Sequence, residues 1–194
     1  MDNEESALRT IGVSISVPEP WSSLLHGFRV RIGDPAAESV RPHVTLLGPT
    51  EVPAADDERI ERHLARVAAR TAPFDLLLRG TDSFRPVTAV VYVAVVAGKA
   101  ECERLAARIR TGPLRAEQRF PYHPHVTLAQ EVPPEALDAA RNEMSRFSAR
   151  FRVDKFASHV REPHGEWRMR REFELTGSPA PTPRGHRSAL RART

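Results

Sequence analysis

Apolar and polar positions near the start of the chain follow the periods of one strand and one helix. Residues 10–17 alternate apolar with small polar side chains, which predicts a half-buried strand ending before Pro18. The next apolar residues recur at the spacing of a helical stripe: Trp21, Leu24, Leu25 and Phe28. The turn-forming residues at 33–35 then close this helix.

The same two periods continue to residue 96. A short strand is predicted from His43 to Leu47, ending at Gly48 and Pro49. Acidic residues at 56–58 suit the first turn of a second helix, whose buried stripe is Ile60, Leu64, Val67 and Ala68. Two more strands are predicted, Phe74 to Leu78 and Val87 to Val96, and the second is rich enough in valine to be central.

The second half of the chain repeats this order. A third helix carries the stripe Cys102, Leu105, Ala106 and Ile109, and a strand from His125 to Ala129 follows. Prolines 133 and 134 open a fourth helix with the inner face Leu137, Ala140, Met144 and Phe147. Two last strands are predicted near Phe151–Val160 and Trp167–Leu175. One face of the latter is predicted to carry Trp167, Met169, Phe173 and Leu175.

The order of elements predicts an α+β protein built from two similar halves. We expect a bilobal, duplicated fold with two antiparallel-rich sheets, each flanked by helices, and a central cleft on a pseudo-twofold axis. The expected domain spans residues 10–176, after a flexible N-terminus at 1–9. Residues 177–194 lack periodicity and contain four arginines, so we expect a disordered basic tail there.

The charge of the chain is concentrated in that tail. The whole chain has 29 Lys and Arg against 25 Asp and Glu, a formal net charge of +4. The four tail arginines account for this excess, so residues 1–177 are neutral overall. A global positive field for nucleic acid is therefore not expected, and binding of phosphate must depend on local placement.

Other features of the composition limit the class of protein. The single Cys102 excludes an internal disulfide and a cysteine-based zinc cluster. No apolar run approaches the ~18 residues that span a bilayer, and the acidic start does not resemble a secretory signal. We therefore expect a cytoplasmic protein without membrane partners. The sequence leaves the oligomeric state open, and a monomer is favoured.

The pentapeptide Pro-His-Val-Thr-Leu occurs twice, at residues 42–46 and 124–128. Because residues i and i+2 of a strand point to one face, His43 projects with Thr45, and His125 projects with Thr127. If the two halves face each other across a cleft, two imidazoles and two hydroxyls surround one small tetrahedral group. Imidazole can both accept and deliver a proton near neutrality, which suits the opening of a phosphodiester without metal.

These motifs and the order of elements resemble the 2H phosphoesterase superfamily, the 2′-5′ RNA ligase-like or cyclic phosphodiesterase group. The resemblance covers roughly residues 10–176. It implies catalysis by His43 and His125 and phosphate contact by Thr45 and Thr127. The implied reaction is hydrolysis of 2′,3′-cyclic phosphates of RNA ends or nucleotides to 2′-phosphates, sometimes with 2′-5′ RNA ligation, and without a cofactor.

One departure from many members of this family bears on the substrate. They carry a basic residue just after the second motif, where this chain continues Ala129, Gln130 and Glu131. This difference and the short loops favour a small, nucleotide-sized substrate over a polynucleotide.

Four other residues are candidates for substrate binding. Tyr122 is able to stack on a base, or to pack at the edge before its strand. His123 is expected at the rim of the cleft or in solvent. With His125 it forms a His-Pro-His sequence that is a weaker candidate for a metal pair. Phe84 lies in a loop between strands, and Arg41 precedes the first motif. Two further alternatives remain open, an RNA-end or nucleotide binding module without turnover and a hydrolase of another cyclic phosphate.

Overall fold

A computed structural model describes residues 7–115 and 120–178. Within these ranges, eight strands form one antiparallel sheet in the order β6-β3-β4-β5-β2-β1-β7-β8. The strands are β1 (Leu8–Ser16), β2 (His43–Pro53), β3 (Phe74–Ser83), β4 (Val90–Ala97), β5 (His125–Gln130), β6 (Ser148–Val153), β7 (Lys155–Arg161) and β8 (Trp167–Glu174). The helices are α1 (Trp21–Arg31), α2 (Asp57–Ala69), α3 (Lys99–Ile109) and α4 (Pro134–Glu143).

The α+β class is confirmed, but the expectation of two separate sheets is wrong. The strands that carry the two histidine motifs, β2 and β5, pair with each other and join both halves into one sheet. Their ladder is short, with Val44 opposite Val126 as its registered pair. The sheet is thus continuous but narrowly connected at its centre, where the two repeats meet.

The hydrophobic core lies between the helices and one face of this sheet. The predicted stripes of α2 and α3 are confirmed, since all eight residues are buried. In α1 the prediction for Leu24 is wrong, because this side chain is 52% exposed. The buried stripe of α1 continues instead through Leu25 and Phe28 to Arg29, whose side chain pairs with the buried Asp34. In the described part of the chain, no helix is long and apolar enough to cross a bilayer.

Several predicted boundaries differ from the observed ones. Strand β2 continues past Gly48 and Pro49, because a register irregularity in its ladder with β1 accommodates a proline that cannot donate a hydrogen bond. The strand predicted at Phe151–Val160 is two strands that separate at Asp154. The remaining differences are that β3 extends to Ser83, that β4 begins at Val90, and that Met144 and Phe147 lie half-buried beyond the end of α4.

The termini bear on the expected domain boundaries. Strand β1 begins at Leu8, so two residues of the segment predicted as flexible belong to the sheet. Residues 1–6 and 179–194, which include most of the predicted tail, lie outside the described residues.

A β-bulge interrupts β8, so the prediction of one shared apolar face is wrong. Ser158 pairs with Arg171, whereas the next residue, His159, pairs with Met169. Arg170 is therefore an extra residue on β8. Because successive side chains of a strand alternate between faces, one extra residue exchanges the faces on its two sides.

The bulge separates the four apolar side chains that were predicted to share a face into two pairs. Phe173 is buried and stacks on Phe156 with ring centroids 5.3 Å apart, and Leu175 is buried as well. Trp167 and Met169 lie on the other face of the sheet, where they line a cavity. This cavity belongs to the face that carries the histidine motifs.

Candidate active site

The two motif histidines lie at the start of the two central strands, on the face opposite the core. Val44 and Val126 are directly opposite each other and fully buried, so their neighbours project to the other side. In this antiparallel register His43 lies opposite Thr127, and Thr45 lies opposite His125. The two histidines are diagonal neighbours, for which a separation of ~7–8 Å between backbones is typical. The four side chains of the repeated motif therefore share one small area.

Each imidazole is oriented by the same backbone hydrogen bond. Nδ1 of His43 donates to the carbonyl of Arg41 over 2.8 Å, and Nδ1 of His125 donates to the carbonyl of His123 over 2.7 Å. In the neutral ring this fixes the proton on Nδ1 and leaves the lone pair on Nε2. Both rings are thus prepared for proton exchange at Nε2.

The two threonines of the motif have different surroundings. The hydroxyl of Thr45 lies 3.2 Å from Nε2 of His43 and donates to it in the neutral tautomer. Thr45 also lines two cavities on this face of the sheet. Thr127 is half-buried on the same face, opposite Tyr92 of β4, and lines neither cavity.

Two cavities meet at Thr45 and residues 47–49. The His43 cavity has a volume of about 390 Å³ and is lined by Ser14, Arg41, His43, His159, Trp167 and Met169, among others. The His125 cavity has a volume of about 620 Å³ and includes Phe84, Arg110, Phe120, Tyr122, His123 and His125. Both volumes are typical of pockets for small molecules.

The lining of this face favours an anion. None of the described residues that line the two cavities is acidic, whereas they include Arg41, Arg110 and four histidines. Burial is the main cause that lowers the pKa of His43 and of His125, and the neighbouring His43 lowers that of His125 further. Each ring therefore gains a proton more readily when an anion enters, because the charge of the anion offsets the cost of burial.

An aromatic cluster surrounds His125. Phe84 meets its ring edge-on with centroids 4.9 Å apart, and Tyr92 lies 5.3 Å away. Phe84 also meets His123 edge-on at 5.5 Å. Of the predicted residues, Phe84 and His123 thus lie beside a motif histidine, where they limit its contact with water.

Tyr122 and Arg110 hold the first motif through its backbone carbonyl groups. The hydroxyl of Tyr122 donates to the carbonyl of Thr45 over 2.9 Å, and the guanidinium of Arg110 covers the Tyr122 ring at 4.5 Å. Nε of Arg110 donates to the carbonyl of Leu46. Tyr122 therefore holds the first motif in place, and one face of its ring is occupied by Arg110.

The remaining predictions concern Arg41 and a metal pair. Arg41 is exposed and lines the His43 cavity, beside the histidine that its carbonyl orients. Within residues 7–115 and 120–178, no three histidine, cysteine or carboxylate side chains cluster as ligands for a metal ion.

Sequence reasoning missed the residues that complete the His43 cavity. His159 and Trp167 come from the final hairpin, and neither repeats in the other half of the chain. The signal that was available lies in β1, where Gly12, Ser14 and Ser16 alternate with buried aliphatic residues and line this cavity. Such small side chains leave space above the sheet.

Comparison with known proteins agrees with this arrangement. Residues 17–165 match the family described as the 2′-5′ RNA ligase superfamily. The chain belongs to this superfamily. The resemblance inferred from the two motifs, to the 2H phosphoesterases, is thereby confirmed, and the family indicates a phosphoesterase.

Relatives in this superfamily match over most of their length. A protein of Bacillus cytotoxicus named "Putative phosphoesterase" is 30% identical over 167 residues, which cover 85% of this chain and 96% of that protein. One of Halalkalibacterium halodurans with the same kind of name is 25% identical over 166 residues, or 84% of this chain and 96% of that protein.

Solved structures show the same fold. LigT of E. coli in complex with 3′-AMP superimposes with a TM-score of 0.67 at 19% identity, covering 88% of this chain and 99% of LigT. A protein of Thermus thermophilus gives a TM-score of 0.64 at 25% identity, covering 88% of this chain and all of that one. The single sheet with β2 and β5 at its centre is thus a LigT-like fold of the superfamily.

Proposed function

We propose that this phosphoesterase opens 2′,3′-cyclic phosphates of nucleotides or RNA ends by acid–base catalysis with His43 and His125. The observation that carries the proposal is the pair of imidazoles on adjacent strands, each held at Nδ1 by a backbone carbonyl so that Nε2 carries the lone pair for proton transfer. The carboxylate-free lining of the described cavities supports an anionic substrate.

The reaction needs two proton transfers at one phosphorus. Nε2 of one neutral histidine removes a proton from water as the water oxygen bonds to phosphorus. The protonated Nε2 of the other histidine delivers its proton to the 3′-oxygen as the bond between phosphorus and that oxygen breaks. The product is a 2′-phosphate with a free 3′-hydroxyl, and the two histidines exchange protonation states until solvent restores them.

In this proposal Thr45 and Thr127 bind the phosphate itself. Each hydroxyl donates to a non-bridging oxygen, whose negative charge grows in the transition state. When substrate binds, Thr45 would turn its proton from His43 Nε2 toward the phosphate. Oriented donors of this kind lower the barrier because they do not have to reorganise during the reaction.

The proposal is tested by following the products of a nucleoside 2′,3′-cyclic phosphate with phosphorus NMR in the presence of EDTA. In water enriched in ¹⁸O, we expect a 2′-phosphate that carries one heavy oxygen. An unchanged substrate that nevertheless binds would point to a binding module and contradict the proposal. Loss of turnover in EDTA that is restored by a divalent metal would contradict the acid–base pair as the complete machinery.

A further inference from the structure

Resting on the function proposed above, we propose that the His43 cavity binds the nucleobase of the substrate, with Trp167 as a stacking surface and His159 as the group that contacts the edge of the base. The substrate would then be a nucleotide rather than a cyclic phosphate without a base. Neither residue belongs to the repeated motif.

The position of Trp167 depends on close packing against another strand. Gly12 of β1 lies beneath its indole ring, and a Cβ added to Gly12 would lie 3.3 Å from Cζ3 of Trp167. A side chain at this position would therefore require the indole ring to shift. The bulge at Arg170 then turns Trp167 and Met169 to this face, while Arg170 itself pairs with Glu61 on the opposite side.

The exposure of these side chains indicates that an occupant completes the cavity. Met169 is 53% exposed and Trp167 is half-buried, although both border a concave site of about 390 Å³. Planar heterocycles stack on aromatic side chains with ~1–3 kcal/mol per base. A nucleobase therefore fits this surface better than an aliphatic chain would, because the cavity also carries polar groups.

His159 supplies a polar group at the same end of the cavity. In the sheet it lies between Gly12 of β1 and Met169 of β8, so it is next to the glycine on which Trp167 packs. Burial lowers its pKa, which keeps the ring neutral at pH 7 with one donor and one acceptor nitrogen. Bases present neighbouring donors and acceptors, so a neutral imidazole matches their edges.

The His43 cavity also joins the proposed base site to the first histidine motif, as the binding of a whole nucleotide requires. It is lined by Trp167 and His159 as well as by His43 and Thr45, so a phosphate held between the motifs has space on this side for its sugar and base. His159 is also close enough to affect His43, since a proton on His159 lowers the pKa of His43, after the larger effect of burial.

The test compares two substrates, a nucleoside 2′,3′-cyclic phosphate and methyl riboside 2′,3′-cyclic phosphate, which has no base. Trp167→Ala should raise KM for the nucleotide roughly 5- to 150-fold, leave its kcat within about twofold, and leave the base-free substrate unaffected. His159→Phe should raise KM for the nucleotide about 2- to 10-fold. The control is Leu24→Ala, which removes another exposed apolar side chain and should change neither substrate.

Three results would overturn the inference. Trp167→Ala without effect on KM would remove the stacking surface, and an equal effect on both substrates would show a merely structural role. A selective rise in KM from Val87→Ser, but not from Trp167→Ala, would place the base in the His125 cavity, which Val87 borders.

A binding measurement separates this inference from the proposed reaction. A nucleoside 2′-monophosphate should quench the fluorescence of Trp167, and the quenching should persist in Trp21→Phe, since Trp21 packs against Phe151 away from both cavities. It should disappear in Trp167→Phe. If wild type binds in this way but opens no cyclic phosphate, the proposed reaction fails and the base site stands. Quenching that survives in Trp167→Phe would contradict the base site.

Discussion

A histidine can exchange protons with a substrate when one ring nitrogen is held by the protein and the other faces the ligand. The protein holds Nδ1 of His43 and of His125 through carbonyl groups two residues before them, which leaves Nε2 for the proton transfer proposed above. The proline between each histidine and that carbonyl is part of the repeated pentapeptide. The chemistry and its orienting contact are therefore encoded within the same few residues.

The proposed roles of these two rings determine the expected pH dependence of kcat/KM. The proton-accepting histidine must be neutral, so activity falls as pH drops through its pKa, and the donating histidine must be charged, so activity falls as pH rises through its pKa. Burial, as the main cause, lowers both pKa values from the usual ~6.5, so we expect a bell-shaped profile with its maximum below about pH 6.5. Steady-state kinetics across the range of roughly pH 4–9 would check this, and a maximum above about pH 8 would contradict it.

The motif residues could be predicted from sequence at this scale, whereas their neighbours could not. The repeated pentapeptide distinguishes His43 and His125 from the other histidines, because only these two recur in the same five-residue sequence. His159 has no second copy, and its neighbours Gly12 and Met169 are brought to it only by the pairing of strands. A pattern along one segment of the chain does not contain that environment.

At the scale of the elements, one glycine is required where β4 passes into α3. Gly98 has φ of +81°, and a Cβ there would lie 2.6 Å from the carbonyl oxygen of Asp75. Gly98→Ala should therefore lower the free energy of unfolding by more than about 1 kcal/mol. The matched control, Gly27→Ala in α1, has open space around the new methyl group and should raise it by about 0.5–1 kcal/mol. Urea unfolding of both variants checks this, and equal effects would contradict it.

A buried ion pair fixes the segment that borders the His43 cavity. Arg29 of α1 binds Asp34 over 2.9 Å and also donates to the carbonyl of Val40, one residue before Arg41. Asp34→Ala leaves the charge of Arg29 buried without its partner, which should cost about 3–5 kcal/mol of stability. Glu101→Ala breaks an exposed pair with Arg104 and should cost no more than about 1 kcal/mol. Thermal or urea unfolding distinguishes them, and a similar small loss in both would contradict this role.

Helices whose apolar residues follow one period throughout could be predicted more accurately than a strand whose apolar side chains change from one face of the sheet to the other. The stripes of α2 and α3 follow one helical period, and the structure buries every residue of them. Strand β8 follows one period in the sequence, but the bulge at Arg170 exchanges its faces. Arg170 forms ion pairs with Asp57 and Glu61 of α2. These are tertiary contacts, so the alternation of residues along β8 could not indicate them.

For the whole molecule, the central arrangement is the meeting of the two repeats at β2 and β5. Duplication predicts that two histidine motifs meet, and the structure places them on adjacent strands of one sheet. The expected pair of separate sheets is wrong because the motif strands themselves hydrogen-bond. Sequence could identify the repeats, whereas the contact between them depends on the register of Val44 and Val126.

The proposed reaction requires that His43 and His125 act together on one phosphate. The most direct measurement is the kcat of His43→Ala, His125→Ala and the double variant on a nucleoside 2′,3′-cyclic phosphate, with binding of the 2′-monophosphate product as the control for folding. We expect each single variant to lose ~10²–10⁴-fold in kcat while still binding product, and the double variant to lose little more. Turnover within about tenfold of wild type in either single variant would contradict joint action of the two histidines.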